Sequence, residues 1–159
     1  AERIASLLAM RRMHAEFGHI QEVIVQNFRA KESTAMADAP DMSEEEMVRT
    51  VALSRIILGG QMNIQAPPNL SPDNLHHLIR AGINDWGGIS PLTKDYVNPE
   101  AEWPAVTSLA AVCREQGFAL EPRLPVYDEY ISEEWMAPAM LEAAEQVRGR
   151  NGFRQEALQ

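Results

Sequence analysis

Three short apolar runs, each closing on amides, acids, glycines or prolines and each separated from the next by a helical stretch, constrain this chain more than anything else. They end at Gln26-Asn27-Phe28, at Gln65-Ala66-Pro67-Pro68-Asn69 and at Asn84-Asp85-Trp86-Gly87-Gly88. Strands joined through helices pair in parallel by right-handed crossovers. In sheets of that kind ligands gather at the carboxyl ends of the strands, so the three endings outline one binding wall.

The stretches between them read clearly. Ile4, Leu7, Leu8, Met10 and Met13 fall near helical spacing, and Gly18 is placed to stop a helix over 1–17. Nothing before Ile4 resembles a cap, which suggests a helix already in progress. A strand rich in Val and Ile is expected over 20–28. Ser43-Glu44-Glu45-Glu46 then has the capping-box pattern and opens a helix to Leu58, broken by Gly59-Gly60. Residues 61–66 form a second strand, and Ser71-Pro72 begins a third helix that ends at Gly82. A third strand is expected over 83–87. Pro104 opens a fourth helix carrying Val106, Leu109, Ala110 and Cys113 on one side, and a fourth strand follows over 118–124. From Trp135 the composition turns to Ala, Glu, Arg and Gln, a short helix followed by a polar tail.

Four helix–strand units in a row fit either a doubly wound sheet or half of an eight-stranded barrel. Asn63 and Gln65 alternate with Met62, Ile64 and Ala66, which puts amides on one face where an ordinary barrel interior has branched apolar side chains. With 159 residues of which 45% are hydrophobic, the chain can fill a real core. Its net charge of -9 and lack of a Lys/Arg patch argue against nucleic acid and against an anionic membrane surface. No apolar run approaches the ~20 residues of a membrane span, and no signal-peptide layout opens the sequence, so a cytoplasmic location is expected. The one cysteine, Cys113, leaves no thiol cluster for a metal.

Amides and backbone groups recognise polar heterocycles, sugars and amino-acid carboxylates, but they are poor general acids. Asp85 beside glycines either meets a ligand or caps a turn. Gln26, Asn27 and Gln65 either contact a ligand or close loop backbone as satisfied buried amides. Asn69 reads as a turn residue. Arg123 can clamp a carboxylate or phosphate, or pair with Asp85 or Glu121, and Tyr127 and Tyr130 either cover a ring or fix their loop. His76 and His77 are helical neighbours expected to point apart, which disfavours chelation, and no metal ligand is assigned.

The segments running from Gly18 to Phe28, Gln65 to Leu70 and Asn84 to Thr93 resemble the 7,8-didemethyl-8-hydroxy-5-deazariboflavin (FO) synthase family. The likeness is to its ring-forming subunit or domain, called CofG, which is also the amino-terminal half of the fused FbiC. It covers about 1–131 and is loose after Trp135. These are radical S-adenosylmethionine (AdoMet) enzymes, so the resemblance implies an α/β fold that is part of a (β/α) TIM-type barrel. About four parallel strands with flanking helices are expected here. It further implies a four-iron four-sulfur cluster, reductive cleavage of AdoMet, and radical ring closure of an adduct of tyrosine and 5-amino-6-ribitylaminouracil in coenzyme F420 biosynthesis. On the matching motifs, Gln26, Asn27 and Gln65 would face AdoMet. Asn84, Asp85, Gly87, Gly88, Ser90 and Arg123 would face the substrate.

The family's three-cysteine cluster loop and its glycine-rich AdoMet segment have no counterpart in this sequence. Together with the uncapped start, this leads to the expectation that residues 1–135 are the carboxyl-terminal half of the barrel and 136–159 a terminal helix and tail. Such a piece would need the missing amino-terminal half of the barrel and would work alongside a CofH-like partner. Two other readings are a non-catalytic ligand-binding or assembly module, and an independent doubly wound α/β domain.

Overall fold

A computed structural model describes residues 1–90 and 92–148. They fall into two compact units, divided between Phe118 and Ala119. The first is α/β, with a parallel sheet of three strands, β1 (Glu22–Ile24), β2 (Asn63–Ala66) and β3 (Asp85–Trp86), in that spatial order. Its helices are α1 (Glu2–Phe17), α2 (Glu44–Leu58), α3 (Leu75–Ala81) and α4 (Val106–Glu115). The second unit contains α5 (Pro138–Val147). Among the described residues no helix is long and apolar enough to cross a membrane.

Each ending has a local cause. Gly18 takes the left-handed conformation (φ 66°) and its N–H bonds the His14 carbonyl, closing α1 as the sequence suggests. Ser43 caps α2, its hydroxyl accepting from the Glu46 N–H at 3.2 Å, and the three acids of the first turn lie at the positive end of the helix dipole. Gly82 (φ 114°) terminates α3. The core lies between the helices and one face of the sheet: Met47, Val51, Ile64, Ala66, Leu78 and Leu109 are fully buried. Parallel strands need such cover because their crossovers lay helices against the sheet.

The strands are shorter than expected. In β1 the ladder runs only where β2 offers partners, extended by one bond from Val25 N–H to the Gln65 carbonyl at 2.9 Å. Two prolines end β2, removing consecutive donors. The third helix begins at Leu75, since residues 68–70 and 72–74 form single 3₁₀ turns instead. The fourth strand is not formed. Residues 118–124 straddle the boundary between the units and carry only an isolated bridge at Arg123, and Pro122 lacks the N–H a ladder would need. His76 and His77 also differ from the helical-wheel expectation. Their rings sit 3.9 Å apart, and His77 Nδ1 pairs with Asn74 Oδ1. The polar tail from residue 149 lies outside the described residues.

Candidate functional site

Alternation along β1 sorts the first wall residues. Val23, Val25 and Asn27 are buried, whereas Ile24, Gln26 and Phe28 are exposed, so the neighbours Gln26 and Asn27 point to opposite sides of the extended chain. Register places Ile24, Gln65 and Asp85 across one rung, and Glu22 beside Asn63 on the same face. On that face Gln65, only 3% exposed, donates its Nε2 to Glu22 Oε2 and to Asp85 Oδ2 (3.2 Å). Gln65 and Asp85 are thus brought together on one sheet face. Glu22, which the sequence reading passed over, joins them. The signal was present: Glu22 alternates in phase with Ile24 and Gln26.

Gly87 is buried at the end of β3, where an added Cβ would stand 3.4 Å from Gln65 Oε1 and 3.7 Å from the Pro67 nitrogen. Gly88 follows with φ 27°, a conformation side chains rarely adopt. Together they let backbone approach Gln65 closely. Ser90 Oγ pairs with Thr93 Oγ1 at 2.7 Å and accepts from the Thr93 N–H at 3.2 Å, so it organises its own turn.

Three other residues are placed differently. Asn27 lies on the helix-facing side and donates Nδ2 to the Leu70 carbonyl (3.2 Å) and Ser71 Oγ (2.8 Å), while its buried Oδ1 has no hydrogen-bond partner. Asn84 sits at the start of β3, away from the carboxyl end. Its Oδ1 accepts from Ile64 N–H and Arg55 Nη2, and its Nδ2 donates to Asn63 Oδ1 at 2.8 Å. Arg55, the centre of that knot, also reaches the carbonyls of Gly59, Met62 and Gly82. Arg123 belongs to the second unit, where Nη1 donates to the Leu124 carbonyl and the guanidinium lies 4.0 Å from the Tyr127 ring centre. The Tyr130 ring lies 5.4 Å from that of Trp135, tilted by 59°, so both tyrosines are engaged within their own loop.

A cleft of about 590 Å³ opens where the loops after all three strands converge. Arg29 follows β1, Asn69 and Leu70 follow β2, and Glu100, Ala101 and Glu102 follow β3, with Asp41 across from them. Arg29 pairs with Asp41 (3.1 Å) and donates to the Leu70 carbonyl (2.7 Å), and Lys31 pairs with Glu100 (2.6 Å). Asn69 is the hub. It is 4% exposed, and its Nδ2 donates to Asp95 Oδ2 (3.0 Å) and the Ala101 carbonyl (3.2 Å). Asp95 also gathers Asn98 Nδ2 and the Val97 and Asn98 N–H groups. These donors, the Asn98 side chain foremost, hold the Asp95 carboxyl down to about 2. The Ala30 N–H, and then Arg29, lower Asp41, and Lys31 lowers Glu100.

Fold and site define a class: an α/β unit whose parallel strands carry polar groups on one sheet face and open a cleft at their carboxyl ends. The sequence comparisons narrow it. The chain is 54% identical over 141 residues to an FO synthase of Mycobacterium tuberculosis, covering 87% of this chain and 16% of that protein. It is 50% identical over 141 residues to the 7,8-didemethyl-8-hydroxy-5-deazariboflavin synthase of Methanococcus maripaludis, covering 89% and 40%. The synthase of the same name from Methanopyrus kandleri is 45% identical over 152 residues, covering 96% and 45%. By sequence the chain is similar to one segment of the 7,8-didemethyl-8-hydroxy-5-deazariboflavin (FO) synthases. It spans less than half the length of each of these three relatives. No known family profile and no solved structure matches it.

Proposed function

We propose that this chain supplies one wall of a deazaflavin-forming site, as part of a radical AdoMet (β/α) barrel acting in FO and coenzyme F420 biosynthesis. The observation that supports it is the buried Gln65, held between Glu22 and Asp85 on the polar sheet face. A ribityl-uracil adduct needs many neutral hydrogen-bond partners, and a radical reaction needs a wall that excludes water. In this reading Gln26 and Gln65 approach AdoMet, while Asp85, Gly87 and Gly88 form the substrate edge. Ser90 shapes its own loop, and Arg123 shapes a loop of the second unit. Asn27 and Asn84 serve by fixing backbone around the wall.

AdoMet, when bound, supplies the deoxyadenosyl radical. This chain's residues orient and shield. They do not fit a four-iron four-sulfur cluster: Cys113 is buried in α4, where its Sγ receives the Trp86 Nε1–H at 3.4 Å. The cluster, the remaining barrel strands and a CofH-like partner would come from other sequence.

A chimera tests the proposal. Replacing the matching segment of the M. maripaludis synthase with this chain should retain formation of the fluorescent deazaflavin. Gln65→Leu or Asp85→Asn in that chimera should cut the rate by about 10²-fold, the scale of losing a positioning contact. Full activity in either variant would refute the wall.

A further inference from the structure

We propose that Glu22 is a positioning residue of the wall: its carboxylate, acting with Asp85, fixes which way the Gln65 amide lies. This rests on the deazaflavin reading, in which Gln65 approaches AdoMet. Gln65 Nε2 donates to Glu22 Oε2 on β1 and to Asp85 Oδ2 on β3 (3.2 Å), so the amide of the middle strand is spanned by an acid from each neighbouring strand. An ionised carboxylate only accepts hydrogen bonds, and an amide carries its donors on nitrogen alone. The two acids therefore hold the N–H₂ end toward themselves and leave the Oε1 end on the side of Gly87, where an added Cβ would stand 3.4 Å from it.

The register explains why Glu22 serves Gln65 and not its own rung. Its partner across the ladder is Asn63, whose Nδ2 donates to the Gln21 carbonyl (3.1 Å) and whose Oδ1 accepts from Asn84 Nδ2 (2.8 Å). Glu22 reaches along the diagonal to Gln65, whose own ladder partner is Ile24. The Ile24 side chain offers no acceptor, so Glu22 holds the amide from the β1 side. Gln65 is only 3% exposed, and its amide cannot turn to water to recover a lost bond. A neutral glutamine at position 22 would present a donor or an acceptor equally well, and the charge that selects one orientation from β1 would be gone.

The test pairs NMR of the whole chain with kinetics in the M. maripaludis chimera. In the parent both Gln65 Nε2 protons should resonate downfield of exposed glutamines and exchange slowly. Glu22→Gln, which keeps the shape and removes the charge, should move one of them upfield and speed exchange of the pair by about tenfold. Glu16→Gln, the same charge change at an exposed position of α1, should leave both where they are. In the chimera Glu22→Gln should raise the KM for AdoMet by about tenfold and leave the KM for the ribityl-uracil adduct unchanged, a split that general loosening of the fold would not produce. Unmoved Gln65 protons, equal changes in Glu16→Gln, or moved protons with an unaltered KM for AdoMet would each overturn the role of Glu22. An inactive chimera carrying the unsubstituted segment would instead overturn the deazaflavin reading, and the Gln65 protons would still decide whether Glu22 orients the amide.

Discussion

Replacing Asp95 by Asn tests the loop that forms one side of the cleft. Asp95 Oδ1 accepts from the Val97 (2.9 Å) and Asn98 (3.1 Å) N–H groups, and Oδ2 from Asn69 Nδ2 (3.0 Å) and Asn98 Nδ2 (3.1 Å). A carboxamide turns one of those oxygens into a donor, so whichever way it lies two donors meet an N–H₂. Asn69 and Asn98 are each only 4% exposed and cannot turn to water. Two lost bonds to a charged acceptor give roughly 3–6 kcal/mol gross, reduced to about 2–3 kcal/mol because Asp95 itself is partly exposed. In urea that moves the midpoint down by about 1 M.

The pH dependence is a second constraint. Asp95 is depressed from 3.8 to about 2 in the folded protein, so its contribution is complete above about pH 5 and is lost as pH falls through 3.8 toward 2. Screening cuts the linkage to about 1 kcal/mol. The gap between parent and Asp95→Asn should therefore narrow by that amount between about pH 5 and pH 2. A gap under ~0.5 kcal/mol at neutral pH, or one independent of pH, would refute the reasoning.

Two further substitutions probe the frame beneath the site. Gly82→Ala should cost about 3 kcal/mol by urea denaturation, because its φ of 114° is strained for a side chain and the new Cβ would lie 2.8 Å from Arg55 Cγ. Gly60→Ala, with open space around it, is the control and should fall within about 1 kcal/mol of the parent. Met47→Ala, at a position with no exposure in α2, should cost about 2–5 kcal/mol and broaden the side-chain NMR signals of Val51 and Ile64.

What could be read from the sequence was whatever depends on a few neighbouring residues. The Ser43 cap, the stops at Gly18 and Gly82 and the amide alternation of β2 are local rules, and each operates in the fold. Residues 118–124 failed for a nonlocal reason, since an apolar run becomes a strand only where a neighbour offers a ladder. The roles of Asn27 and Asn84 were hidden in the same way. Both lie in strand-end motifs, but pleat parity turns Asn27 to the helix side, and position along β3 puts Asn84 at the wrong end.

Asn69 shows where motif reading and chemistry part. A polar residue between prolines and a helix start looks like turn punctuation, and it does lie within one 3₁₀ turn with a second following. Yet a turn residue needs only to satisfy nearby backbone, whereas Asn69 reaches across to Asp95 and Ala101 and leaves a buried acceptor unpaired. An apolar side chain there would avoid that penalty but would strip Asp95 of a donor, so the amide is retained at a cost. The same reasoning separates Asn69 from Gln65, whose donors are matched to two carboxylates within the sheet. Gln65 thus reads as part of a built wall, and Asn69 as a buried brace that ties the Asp95 loop to the end of β2.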